Sequence, residues 1–267
     1  MEKKNKIGFN AFQLKMMSLV LYVIGRSLIA ISYTRYDGAG FDRGPWAPFY
    51  FMGYIMTYIA FPMIAFLTVE AVLKTRSLRQ LFTRLAFAAV ITELLLDLVT
   101  YGKAAFNFGR DFLKSPAIES NCNFYFTLLI GAATVCLMEK LIKPRFSPGS
   151  VLFTLFSILI MLLACVLATF IGCEQGSIGV LTLSAFYMLY DSRIFMLTGV
   201  AALQIISLGL AKMWLIVGAP IIGTLPVLFY DHKEGRKNGL IRLITYAAYP
   251  CIYGAVLLTL RLLGGRA

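Results

Sequence analysis

Long apolar stretches, separated by short polar segments, follow one another along the whole chain. Most of them reach the ~20 residues that a helix needs to cross roughly 30 Å of hydrocarbon. None shows the ~10-residue alternation of a membrane β-strand. The pattern therefore predicts an all-α, polytopic integral membrane protein, with residues 1–267 as a single transmembrane domain. About nine helices are expected, at about 13–33, 47–73, 81–101, 124–141, 151–171, 178–190, 194–211, 213–229 and 243–263.

The sixth and eighth helices are the least regular of the nine. The sixth, about 178–190, is short and is expected to be tilted or to span only in part. Without it, eight helices would remain and every later segment would reverse its orientation. The eighth contains Pro220 and Pro226, each of which is expected to bend it because proline lacks a backbone N–H. No internal repeat is visible, which disfavours a transporter.

Composition and charge agree with a membrane protein. Hydrophobic residues make up 59% of the chain and charged residues 14%, while the mean hydropathy is +0.78. The net charge of +12 lies in short loops between apolar stretches, as the positive-inside rule requires, so a nucleic-acid partner is not expected. Sixteen Lys and Arg fall on one side and eight on the other, which predicts a cytoplasmic N-terminus and cytoplasmic basic loops at 74–84, 140–145 and 233–242.

The five cysteines show no CxxC motif and no metal-ligand spacing, so no metal is predicted. Three of them lie within apolar segments and are expected to be small buried side chains. Cys122 and Cys173 both fall in loops expected outside, where they could form a disulfide if the fold brings them close enough.

Among the charged residues inside predicted helices, Arg26, Glu70, Glu93 and Asp97 are candidate site residues, because a charge in hydrocarbon costs at least a few kcal/mol. Glu93 and Asp97 stand four residues apart and share one helix face. They could hold an acceptor amine or act as a base, or they could fix helix packing by bonding to Arg26 or other polar groups. An unpaired buried charge is strongly destabilising, so we expect Arg26 within salt-bridge reach of Glu93 or Asp97. Glu70 could belong to the site or lie at a solvated helix end.

The stretch 59–98, IAFPMIAFLTVEAVLKTRSLRQLFTRLAFAAVITELLLDL, resembles the central signature of the TraX family. These are membrane acetyltransferases, named for the enzyme that acetylates the N-terminus of conjugative pilin. Similar later blocks are found at 123–131, 176–181 and 230–237, and at the pair Tyr249–Pro250. The matching positions in the central stretch are Ala60, Phe61, Pro62, Ala65, Phe66, Val69, Glu70, Thr75, Arg76, Glu93 and Asp97.

The resemblance implies a transmembrane acyltransferase-like fold in the bacterial cytoplasmic (inner) membrane. It implies acetyl-CoA as the donor and an amine or hydroxyl acceptor on a peptide, saccharide or membrane protein. A phosphate-rich donor favours Lys and Arg as partners. The residues then expected are Glu93, Asp97 and Arg26 for catalysis, Glu70, Phe61 and Pro62 for the substrate, and Tyr230, Lys233, Gly235, Arg236 and Lys237 for acetyl-CoA.

The chain also departs from the family pattern. Gly25–Arg26 replaces the usual Asp-His pair, Tyr58 an Arg, Leu95 a Pro and Ile252 a second His. The one histidine of the chain is His232, in a loop. Acyl transfer normally uses a base, most often His, so here a carboxylate must serve. The alternative is a catalytically inactive relative that binds a membrane partner or peptide.

Overall fold

The computed structural model describes residues 8–34, 45, 47–101, 122–210, 218–233 and 239–262. Within these ranges the chain is helical, with an isolated parallel bridge between Phe9 and Tyr230 and no strand. A π-helical turn, Met138–Ile142, continues the fourth helix. The described helices are α1 (Ala11–Thr34), α2 (Ala47–Lys74), α3 (Leu78–Tyr101), α4 (Phe124–Leu137), α5 (Val151–Phe170), α6 (Gly176–Met188), α7 (Arg193–Leu210), α8 (Ala219–Leu228) and α9 (Gly239–Leu262).

These helices confirm the predicted all-α membrane fold. Four of them, α1, α2, α4 with its π turn, and α5, are long and apolar enough to cross a membrane. The surface of α5 is apolar and open: Leu163, Val166 and Phe170 are 62%, 68% and 88% exposed. Such a face fits contact with lipid rather than water.

The two irregular helices differ in how they match the prediction. As expected, α6 is short: its 13 residues extend about 20 Å at 1.5 Å per residue. Pro220 lies in the first turn of α8, where no N–H is needed, and the bend there stays a prediction because residues 211–217 lie outside the described residues. Pro226 does lie inside α8. The predicted helix start at 213 lies outside the described residues.

Helix α2 is the axis of the bundle and packs against α1, α4, α6 and α8. Phe61, Met63 and Phe66 are fully buried in its middle. The Phe66 ring lies 5.6 Å from the Phe186 ring of α6 and 5.3 Å from the Tyr230 ring. Aromatic burial of this kind contributes much of the packing free energy of a core.

Helices α1 and α2 cross at unusually short range, where a glycine of each helix meets the other. A Cβ built on Gly25 would lie 2.7 Å from the carbonyl oxygen of Gly53, and one on Gly53 would lie 2.6 Å from that of Gly25. Small residues at a crossing let two backbones approach closely in the absence of a water-driven hydrophobic effect. The crossing fixes the position of α1, and with it Arg26, relative to α2.

The described parts of the three basic loops lie at one end of the bundle. The Lys74 ammonium at the end of α2 donates to the carbonyl of His232 over 3.3 Å, which joins the first and third of these loops. The Tyr187 hydroxyl near the end of α6 donates to Glu139 over 2.9 Å, which brings the second loop to the same end. That this end is cytoplasmic stays a prediction.

Replacing Gly53 by alanine should destabilise the bundle, because the new methyl group would push α1 away from α2. Overpacking of this kind costs about 1–3 kcal/mol. Gly254→Ala is the matched control, since a Cβ there meets nothing within 4 Å. Thermal unfolding in one detergent should show a lower midpoint for Gly53→Ala alone; equal midpoints would contradict the close crossing.

Candidate functional site

A cavity of about 350 Å³ opens between α1, α2, α3, α4 and α9; we call it the central cavity. Its mouth lies at the end of the bundle with the basic loops and carries Lys15, Glu70 and Lys74. Its floor is aromatic. The residues that line it are Ala11, Phe12, Lys15, Ser18, Leu19, Tyr22, Ile64, Leu67, Thr68, Glu70, Ala71, Lys74, Leu81, Leu85, Phe124, Tyr125, Leu128, Tyr246 and Tyr249.

Glu70 is the buried carboxylate of the mouth, at 5% exposure. The Lys74 ammonium donates to its Oε1 over 2.6 Å, and the Tyr230 hydroxyl donates to its Oε2 over 2.5 Å. Burial and the bond to Glu70 raise the pKa of Tyr230 well above its usual range, so that hydroxyl stays a donor. Glu70 is therefore no solvated helix end: it anchors the segment that leads into the third basic loop.

His232 lies beside this carboxylate, although sequence reasoning gave it no role. Its Nδ1 is 3.8 Å from Glu70 Oε1 and 3.4 Å from the Tyr190 hydroxyl. Its φ of 60° is unusual for a residue with a Cβ, and its carbonyl is held by Lys74. The histidine is thus placed at the mouth by its contacts, not left free in a loop.

The floor of the central cavity is formed by Tyr22, Phe124, Tyr125 and Tyr249, whose ring centroids lie 4.7–6.2 Å from their neighbours. The Tyr22 hydroxyl is buried; within the described residues it makes no hydrogen bond of standard geometry, and its polar neighbour is the Tyr249 side chain. A buried hydroxyl without a hydrogen bond of standard geometry is costly and calls for an explanation, such as a ligand that accepts its hydrogen bond.

Arg26 lies behind this floor, one helical turn beyond Tyr22. Its guanidinium stands 5.3 Å from the ring centroids of both Tyr22 and Tyr249, in cation–π geometry. It forms an ion pair with Glu174, in the connection between α5 and α6. The Tyr249 hydroxyl donates to the same carboxylate over 3.4 Å. The expected pairing of Arg26 with Glu93 or Asp97 is therefore wrong, because a loop carboxylate folds in to meet the arginine.

Glu93 faces the start of α4 instead. Its Oε2 accepts hydrogen bonds from the backbone and the side-chain nitrogens of Asn123, each over 2.7 Å. Asn123 in turn caps α4 by accepting from the Tyr125 N–H over 2.9 Å. Asp97 is buried at 4% exposure and follows Glu93 on α3. Neither carboxylate lines the central cavity, and their catalytic role stays a prediction.

The other predicted site residues divide into a buried and an exposed group. Phe61 and Pro62 are buried in α2 and do not line the cavity; the Phe61 ring supports Phe124 of the floor from 6.2 Å. Lys233 is exposed, with its ammonium 3.6 Å from Asp231. Gly235, Arg236 and Lys237 lie outside the described residues.

Sequence reasoning missed Lys15, Tyr22, Lys74 and Glu174. The first two could have been found, because Lys15, Ser18, Tyr22 and Arg26 follow one another at intervals of three and four residues and so share one face of α1. Glu174 could not have been found in this way, because a loop residue has no helical spacing that would indicate its partner.

Cys122 and Cys173, which could have formed a disulfide, are free thiols. Burial, with the charge of Glu93 as a smaller cause, raises the pKa of Cys122 to about 12 and that of Cys173 to about 11. Both therefore stay protonated and unreactive near neutral pH.

Comparison with known proteins gives one match. The family model described as TraX protein matches residues 12–261. Neither a curated protein nor a solved structure matches the chain.

Arg26→Met should destabilise the protein by about 3 kcal/mol, the lower end of the range for a buried pair, because Glu174, 23% exposed, would lose its cation. Adding Glu174→Gln should restore part of that loss, since the orphaned charge disappears. Lys143→Met is the matched control: its pair with Glu139 is 46% exposed on the lysine side and contributes about 0–1 kcal/mol. Unfolding midpoints of the three variants test the pair; additive losses in the double variant would argue against it.

Proposed function

The chain belongs to the TraX family, and from that premise we propose that it transfers an acetyl group from acetyl-CoA to an amine or hydroxyl acceptor at the membrane. The observation that carries the proposal is the central cavity, which has a cationic mouth and a buried tyrosine hydroxyl at its floor. The first feature suits the phosphates of the donor and the second suits its thioester carbonyl.

The mouth supplies the charge that the donor needs. Lys15 and Lys74 line it, and the exposed Lys233 follows the segment anchored on Glu70. From Lys74 to Ile64, ten residues along α2, the cavity wall extends about 15 Å. We place the phosphates at the lysines and the slender pantetheine arm along this wall, so that the thioester reaches the floor.

At the floor, the Tyr22 hydroxyl donates to the thioester carbonyl oxygen. The acceptor nitrogen or oxygen attacks the carbonyl carbon, the C–S bond breaks, and coenzyme A leaves as its thiolate. Charge on the carbonyl oxygen grows during attack, and the Tyr22 hydroxyl, with the Arg26 guanidinium behind it, stabilises that charge. Such preorganised donors are usually a large part of acyl-transfer catalysis.

The acceptor's proton needs a base, and we assign this role to Glu174, whose carboxylate accepts a hydrogen bond from the Tyr249 hydroxyl of the floor. It lies at the end of the bundle opposite the mouth, between α5 and α6. Donor and acceptor would thus approach from opposite ends. With the basic loops in the cytoplasm of a bacterial inner-membrane protein, acetyl-CoA enters from the cytoplasmic side and a peptide, saccharide or membrane-protein acceptor from the other.

A rival function, binding of a membrane partner without catalysis, is favoured by one observation. No histidine lines the central cavity, and the histidine of the mouth has a side chain that is 41% exposed. Binding of acetyl-CoA separates the two functions, because an inactive partner protein has no need of a donor.

Tyr22→Phe should lower acetyl transfer on the order of 100-fold while acetyl-CoA still binds, since it removes one hydrogen-bond donor and keeps the ring. Tyr187→Phe is the control, because that hydroxyl bonds to Glu139 away from the cavity. Transfer from labelled acetyl-CoA by the purified protein in its host lipids is the measurement. Equal rates for the two variants would remove Tyr22 from the chemistry.

Lys74→Gln should weaken binding of acetyl-CoA but not of acetyl-pantetheine, which has the same thioester and no phosphates. Titration calorimetry measures the affinity for both compounds, and the difference between the two losses gives the contribution of the phosphates to binding. Wild type that binds neither compound and transfers no acetyl group would exclude the enzyme and leave the partner-binding protein.

A further inference from the structure

A second cavity, of about 660 Å³, lies between α3 and α9; we call it the lateral groove. On α3 it extends from Arg84 to Leu95, and on α9 from Tyr246 to Gly254. We infer that the lateral groove binds an anionic phospholipid, with one acyl chain along its length and the phosphate on Arg84. The inference does not depend on the proposed acetyl transfer.

The dimensions of the groove match one leaflet of a bilayer. Arg84 and Leu95 are eleven residues apart on α3, or about 16 Å along the helix axis. Half of the ~30 Å hydrocarbon core is about 15 Å. Arg84 lies close to the start of α3 at Leu78, and so at the end of the bundle that carries the basic loops. An arginine at this depth extends to the headgroup layer while its stem stays in hydrocarbon.

The walls of the groove suit an acyl chain. Apart from Arg84, aliphatic and aromatic residues predominate along α3, and Phe87 is 67% exposed. On α9, Pro250 stands inside the helix and Gly254 has no side chain. A Cβ built on Gly254 would meet nothing within 4 Å, so the groove is open there. The α9 wall therefore leaves room for an acyl chain beside Gly254.

Charge selects the headgroup. In the described part of the chain, the Arg84 guanidinium makes a single weak hydrogen bond, 3.4 Å to the Gln80 side chain. Its remaining N–H donors are therefore available to a phosphate, which arginine binds in a two-pronged manner. An exposed arginine on a plain surface would attract any anion, whereas one at the end of an apolar groove selects an anion that carries a hydrocarbon chain.

Tyr246 connects the two cavities, because it lines both the lateral groove and the central cavity. Its backbone carbonyl accepts a hydrogen bond from the Tyr125 hydroxyl of the cavity floor over 3.3 Å. A lipid in the groove would pack against the outer side of the wall that closes the cavity. Lipid binding would thus stabilise the cavity wall.

Native mass spectrometry of the full chain, with phosphatidylglycerol or phosphatidylcholine added, tests the inference. Wild type should retain one phosphatidylglycerol in preference to phosphatidylcholine. Arg84→Gln should lower that preference about fivefold, the effect of about 1 kcal/mol for one basic residue near a charged membrane surface. Arg79→Gln is the matched control, because Arg79 is exposed on the same helix and does not line the groove.

Gly254→Leu fills the groove without changing its charge and should lower retention of both lipids, while size-exclusion chromatography confirms that the protein is folded. Free glycerol 3-phosphate should not displace the lipid, because it lacks the chain. Equal losses in Arg79→Gln and Arg84→Gln would show a nonspecific surface charge effect and overturn the inference. So would wild type that does not distinguish the two lipids, or full retention in Gly254→Leu.

Discussion

A buried guanidinium must have an anion, and this requirement organises the floor of the central cavity. Arg26 on α1 meets Glu174 from the connection between α5 and α6, and the Glu174 N–H donates to the carbonyl of Cys122 just before α4. One ion pair thus joins three parts of the chain that are distant in sequence. Without it, burial of the Arg26 charge would cost several kcal/mol, so the tyrosines packed on Arg26 depend on the same contact.

The sequence predicts the helices well, because their length is set by the thickness of a bilayer and their ends by charge and proline. It also predicts the common end of the basic loops, through the alternation of apolar and basic segments. The sequence does not predict the partners of buried charges, because tertiary contacts determine them. Glu93 and Arg26 are both buried charges, and only the packing shows that the first binds Asn123 and the second Glu174.

The contacts at the mouth of the cavity also could not be predicted from the sequence. His232 follows Asp231 in a loop, and local sequence gives no sign that Glu70 lies beside it. The contact arises because Tyr230 is drawn under α2 by its bond to Glu70 and by the parallel bridge to Phe9. The segment 230–237 resembles the family pattern, and its first residue, Tyr230, is buried at 1% exposure. Part of the resemblance is therefore explained by structure, because Tyr230 anchors this segment to Glu70.

This chain forms the central cavity although the histidines of the family pattern are absent from its lining. Histidine and arginine both donate hydrogen bonds, but arginine stays charged and cannot take up a proton at physiological pH. In the proposed acetyl transfer, Arg26 is a donor behind the floor, and the proton-accepting role belongs to Glu174 rather than to a histidine. Gly25 permits the close crossing with Gly53, since a side chain there would strike the α2 backbone. The two residues therefore act together: the glycine brings α1 close to α2, and the arginine then finds its anion in the loop after α5.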